Sequence, residues 1–60
     1  MTSKELLYLE DALSKENFIV EKMNMIISEI NCEDCTKELE KILKVHQKDA
    51  KKLEKILMEE

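Results

Sequence analysis

The fold is decided in the middle of the chain, where residues 30–36 read INCEDCT. On both sides of this stretch apolar residues recur every three or four positions, which is typical of an amphipathic helix. The recurrence restarts within the stretch, where Asn31 favours the N-cap of a new helix and Glu33 and Asp34 suit its first turn. The sequence therefore predicts a turn at about 31–33, between helices at about 3–30 and 34–58.

The composition favours long helices over a sheet. The chain has 60 residues, of which 43% are apolar and 40% charged, with no Gly and no Pro. This profile is typical of long amphipathic helices, and the strongest turn-forming residues are missing. Two aromatic residues, Tyr8 and Phe18, are too few for a typical all-β core. We predict an all-α fold with a single domain, residues 1–60, built as an antiparallel helical hairpin.

The apolar faces of both predicted helices are wide. The first helix has its main row at Leu6, Leu9, Leu13, Val20, Met23, Ile27 and Ile30, with a flanking row at Tyr8, Ala12, Ile19 and Ile26. The second has its main row at Cys35, Leu39, Ile42, His46, Asp49, Leu53 and Ile56, flanked by Leu43, Ala50 and Leu57. An apolar arc of roughly 160° is too wide for one hairpin to cover. We therefore predict a homodimer, or a multiple of it, that completes a four-helix bundle.

Polar residues interrupt these rows at one level. A hairpin that folds about residues 31–32 brings Glu16 opposite His46, with Asp49 less than one turn away. Carboxylates and imidazole on bundle helices are ligands for iron, manganese or zinc, so Glu16, His46 and Asp49 are candidate metal ligands. The alternatives are a hydrogen-bonded layer that sets helix register and oligomeric state, or a set of solvent-exposed side chains.

Two segments of the chain resemble a known family. Residues 4–16, KELLYLEDALSKE, followed by VHQKD at 45–49, look like the small ferritin-like spore coat proteins of the coat F type. The spacing of Glu16, His46 and Asp49 is also similar to that of the encapsulated ferritins, which carry Glu on the first helix and Glu-x-x-His on the second. Here Leu43 stands three residues before His46, and the second helix offers His-x-x-Asp instead.

The resemblance implies a ferritin-like helical hairpin, dimers that complete a four-helix bundle, and a shared metal site. It further implies a structural or interaction role associated with the spore coat. The start of the sequence has no signal-like apolar region, which by itself predicts a cytoplasmic protein. The missing Glu-x-x-His removes the support for ferroxidase activity.

The two cysteines form a Cys-x-x-Cys motif at the predicted turn, Cys32 and Cys35. One such motif offers only half of the ligands of a closed zinc site, so a metal site there needs a second copy of the chain. An oxidisable pair is another interpretation, since a helix N-terminus favours thiolates, although Glu33 and Asp34 oppose this effect. The third interpretation is two small, soft residues without a special role.

Charge and motif content narrow the function classes. The formal net charge of −4 disfavours nucleic acid as the main partner, and no apolar run approaches membrane-spanning length. The sequence has no nucleophile–base pair or phosphate-binding loop, so it favours a non-enzymatic role over an enzymatic one. A lysine row on the second helix fits a solvated face. The predicted function is therefore a dimeric structural or interaction module, with a metal-binding ferritin-like protein as the alternative.

Overall fold

The computed structural model describes residues 1–59, so Glu60, the last residue of the predicted domain, lies outside the described residues. Helix α1 spans Ser3–Glu29 and helix α2 spans Glu33–Met58. The two helices pack against each other as a hairpin with extents of 45 × 14 × 12 Å. The prediction of an all-α helical hairpin is confirmed, and the described part of the chain contains no strand.

A capping box starts α1. The Glu5 backbone N–H donates to Thr2 Oγ1 at 3.1 Å, and the Thr2 N–H donates to Glu5 Oε1 at 2.8 Å. These reciprocal bonds satisfy backbone donors that a helix start leaves without intrahelical partners. The hydrogen bond from the Thr2 backbone, and then the one with its side chain, lowers the pKa of the Glu5 carboxyl.

The N-cap of α2 is Cys32, so the prediction of Asn31 was wrong by one position. Cys32 is the last extended residue before the helix, and its Sγ accepts the Cys35 N–H at 3.3 Å. The Thr36 hydroxyl donates to the Cys32 carbonyl oxygen at 3.0 Å and secures the same turn. Asn31 precedes the N-cap residue by one position, and its exposed side chain makes no capping hydrogen bond to α2.

The core is narrow and is centred on two residues of α2. Leu43 and Ala50 are the buried residues of the described chain, and α1 contributes none. The predicted main row of α1 is half-buried throughout. On α2, however, Ile42 and Ile56 from the predicted main row are exposed, whereas Leu43 and Ala50 from the flanking row face α1. Helix α2 is thus rotated about its own axis relative to the predicted orientation.

Candidate metal site in the middle of the hairpin

A cluster of three polar side chains, which we call the polar layer, joins the middles of the two helices: Glu16, His46 and Asp49. His46 Nδ1 lies 2.6 Å from Glu16 Oε2, and these side chains are 26% and 22% exposed, respectively. One ligand atom from each of the three residues lies within 4.8 Å of the others. The structure therefore brings together the residues that the sequence predicted to meet, and all three are half-buried.

The polar layer lies at the level of the two buried residues of the hairpin. On α2 the buried residues Leu43 and Ala50 lie one turn before and one turn after His46. Ala50 has a small side chain, which allows the two helix backbones to approach closely at this level. The hydrogen bond between His46 and Glu16 thus forms where the surrounding apolar side chains limit access to water, and such a bond is stronger there than on an open surface.

The hydrogen bond between Glu16 and His46 decides which ring nitrogen is available. When Glu16 is ionised, its carboxylate only accepts hydrogen bonds, and Nδ1 of His46 is then the donor of this bond. In the neutral ring, Nε2 then keeps its lone pair. The hydrogen bond thus orients the His46 ring relative to Glu16.

Asp49 is the member of the polar layer without a protein partner. It is half-buried, yet it makes no hydrogen bond or ion pair with another residue in the described range 1–59. A half-buried carboxylate close to a second carboxylate carries an electrostatic cost that a cation offsets. With Glu16 and His46, it completes a set of two carboxylates and one imidazole, which suits zinc, iron or manganese.

One side of the hairpin is apolar and exposed, and we call it the open face. The rows through which α1 and α2 contact each other have this face on the same side. This follows from about 100° of rotation per residue and from the antiparallel direction of the two helices. The exposed residues of this face are Tyr8 and Ile26 on α1 with Ile42 and Ile56 on α2, and the half-buried residues Ala12, Ile19 and Asp49 belong to the same side. The opposite side has a shallow groove with a polar lining that includes Asn17, Gln47 and Glu54. Asp49 therefore connects the polar layer with the open face.

The structure places Cys32 and Cys35 away from the polar layer. The two residues form a disulfide across the first turn of α2. At 1.5 Å per residue, Cys35 is about 16 Å along the helix from His46, so the histidine cannot serve as a third ligand beside the cysteines. The residues that sequence reasoning missed at this end are the Cys32 cap and its bond with Thr36. The signal available in the sequence was a side chain that can accept a hydrogen bond, that of Cys32, three positions before Cys35.

Comparison with known proteins adds no relative: the chain matches no protein-family model, no curated protein and no solved structure. Within residues 1–59, neither helix has an apolar stretch of the length and hydrophobicity that crossing a lipid bilayer requires. The observations define a class of structure, an antiparallel helical hairpin with one polar layer between apolar faces. Function has to be inferred from that layer and from the open face.

Proposed function

We propose that two copies of the chain pair through the open face into a four-helix bundle, and that this homodimer acts as a structural and interaction module. The observation that carries this proposal is that both helices contribute large, exposed apolar side chains to the open face, whereas Leu7, Phe18 and Met25 on the outer side belong to α1 alone. Tyr8 is 62% exposed, Ile26 47%, Ile42 44% and Ile56 43%. Burial of such side chains is the main driving force of helix association in water.

The weakness of the isolated hairpin supports the same proposal. Only Leu43 and Ala50 are buried among the described residues, and a chain of 60 residues has little other means of covering its apolar surface. A two-fold axis through the open face would place the two copies of Asp49 at one level in the bundle. The resemblance to coat F proteins and encapsulated ferritins agrees with this arrangement, and with a location in the cytoplasm or the spore coat.

Light scattering on purified protein tests the dimer. We expect a mass near twice the 7.1 kDa of one chain, or a multiple of that value. The double variant Ile26→Glu, Ile42→Glu introduces charge into the open face and should dissociate the dimer. The matched control, Leu7→Glu with Met25→Glu, changes side chains that are 63% and 58% exposed on the outer side of α1 and should leave it intact. A monomeric parent, or equal dissociation by the control, contradicts the proposal.

A second candidate function is metal binding by the polar layer. The observation that favours it is the approach of three ligand atoms, from Glu16, His46 and Asp49, to within 4.8 Å of one another. Three protein ligands leave a metal ion an open position for water or for a ligand from another chain. In the proposed dimer the layer occurs twice at one level, so four carboxylates would meet and divalent cations would offset their repulsion. Metal analysis of protein purified without chelators tests this function.

A further inference from the structure

The end of the hairpin carries a chemical group that neither the dimer nor the polar layer uses. Cys32 and Cys35 are joined by a disulfide at the first turn of α2. The two cysteine residues have different environments. Cys35 is exposed, whereas Cys32 is half-buried and serves as the N-cap of the helix. A disulfide between an exposed residue and the N-cap residue of a helix favours one direction of attack by a thiol.

The Cys32 sulfur is the better leaving group. Its Sγ accepts the Cys35 backbone N–H at 3.3 Å, and the Thr36 hydroxyl fixes the Cys32 carbonyl group at 3.0 Å. The N–H groups at a helix start favour negative charge at the N-cap residue Cys32 more than at Cys35 inside the first turn. Glu33 and Asp34 lie between the two cysteines and oppose a thiolate at either one, so they do not reverse this difference. In thiol–disulfide exchange the sulfur that is released as the more stable thiolate leaves faster. Attack by a thiolate is therefore favoured at Cys35, because this residue is exposed and because the Cys32 sulfur leaves as the more stable thiolate.

We propose that Cys32 and Cys35 form a thiol–disulfide exchange site that reacts with small monothiols through a mixed disulfide on Cys35. In the first step a thiolate forms a bond with Cys35 Sγ, the bond between the two cysteines breaks, and its electron pair goes to the Cys32 sulfur. A second monothiol thiolate then attacks the sulfur of the bound monothiol. This step releases the Cys35 thiolate and the disulfide of the monothiol. Two electrons pass in total from two thiolates to the protein disulfide.

Charge around the site selects the class of monothiol. Glu33 and Asp34 lie between the two cysteines and are exposed, and Lys37 is the nearest cationic residue that follows in α2. A thiolate with a further negative charge is repelled by the two carboxylates, whereas an ammonium group on the monothiol offsets that repulsion. The site therefore prefers cationic monothiols such as cysteamine over anionic ones such as mercaptoethanesulfonate. Salt reduces this preference because exposed charges are screened.

Trapping the intermediate of the parent protein tests the direction of attack. The oxidised protein is mixed with cysteamine, quenched at early times with excess iodoacetamide, and fragmented in a mass spectrometer. We expect cysteamine on Cys35 and the carbamidomethyl group on Cys32 in most of the trapped intermediate. The reverse labelling, equal labelling of both residues, or failure of millimolar cysteamine to reduce the folded protein overturns the proposal.

The double variant Glu33→Gln, Asp34→Asn tests the selectivity. Rate constants per thiolate are compared for cysteamine and mercaptoethanesulfonate at low ionic strength. The preference of the parent for cysteamine should fall by about threefold or more in the variant, since the two nearest charges are gone. Glu54→Gln, near the other end of α2, is the matched control and should keep the parental ratio. An unchanged ratio in the double variant, or an equal fall in the control, overturns the assignment of selectivity to this acidic pair.

Discussion

The Nδ1 atom of His46 and the Oε2 atom of Glu16 lie 2.6 Å apart and connect α2 with α1 at mid-height. This bond joins residues thirty positions apart in the chain. Among the described residues, it is the side-chain hydrogen bond that links the two helices. It defines the register of the hairpin, because a slip of one helical turn would separate the two groups and leave both without a partner. The bond therefore has structural value whether or not the polar layer also holds a metal.

The polar layer should cost stability if it serves only to set register. Replacing Glu16, His46 and Asp49 together with Leu is expected to raise the free energy of unfolding, because buried ionic groups are often replaced by apolar ones without loss. The single change His46→Leu should instead destabilise the protein by about 1–3 kcal/mol, since it leaves Glu16 half-buried without its partner. Urea denaturation of the three proteins measures both effects. A triple variant less stable than His46→Leu contradicts this account.

Metal binding should depend on Asp49. In Asp49→Asn a neutral amide replaces a carboxylate ligand, so added zinc, iron(II) or manganese should no longer raise the melting temperature as it does in the parent. Calorimetry and metal analysis provide the readouts. Glu54→Gln is the control, because it removes one carboxylate from the same helix outside the polar layer and should leave the metal effect unchanged. A parent protein whose melting temperature does not respond to any of these ions refutes the metal site.

Leu43 should be the most sensitive apolar position in the hairpin. Its side chain is 9% exposed and packs one turn from the polar layer, so Leu43→Ala removes buried contacts and leaves a cavity. A cost of about 2–3 kcal/mol is expected, near the low end of the range for such changes because the core is thin. Leu7→Ala, at a position that is 63% exposed, should change stability by less than about 0.5 kcal/mol. Equal costs for the two variants in thermal or urea unfolding would show that the core is elsewhere.

The capping box should make stability depend on pH in the acid range. The hydrogen bonds with Thr2 lower the pKa of Glu5 in the folded state below its ordinary value of 4.5. The unfolded chain then binds the proton more readily, so this contribution is present above pH 4.5 and is lost as the pH falls through the folded-state pKa. Glu5→Ala removes the titrating carboxylate and should lower the melting temperature at neutral pH, and the difference from the parent should shrink in acid. A difference that grows on acidification contradicts this assignment.

Local sequence information determined the helices, their main boundaries and the contact between Glu16 and His46. Periodicity and the Thr2–Glu5 spacing report on interactions between residues three or four positions apart, which form within a single helix. Once the turn is placed, simple reversal of the chain sets which levels of the two helices meet. The predicted convergence of the polar layer follows from these local features and needs no knowledge of side-chain packing.

Only the tertiary structure decided the rotation of α2. The Cys32 cap and the disulfide with Cys35 are local features of the first turn, which the sequence-based prediction did not single out. An apolar arc of roughly 160° can dock against a neighbour at several angles, and periodicity does not choose among them. The structure buries Leu43 and Ala50 and leaves Ile42 and Ile56 exposed. Close approach of the helices favours the small side chain of Ala50 at the contact. That rotation turns Ile42 and Ile56 toward the open face. Packing between the two helices sets the rotation, so the periodicity of α2 alone does not predict it.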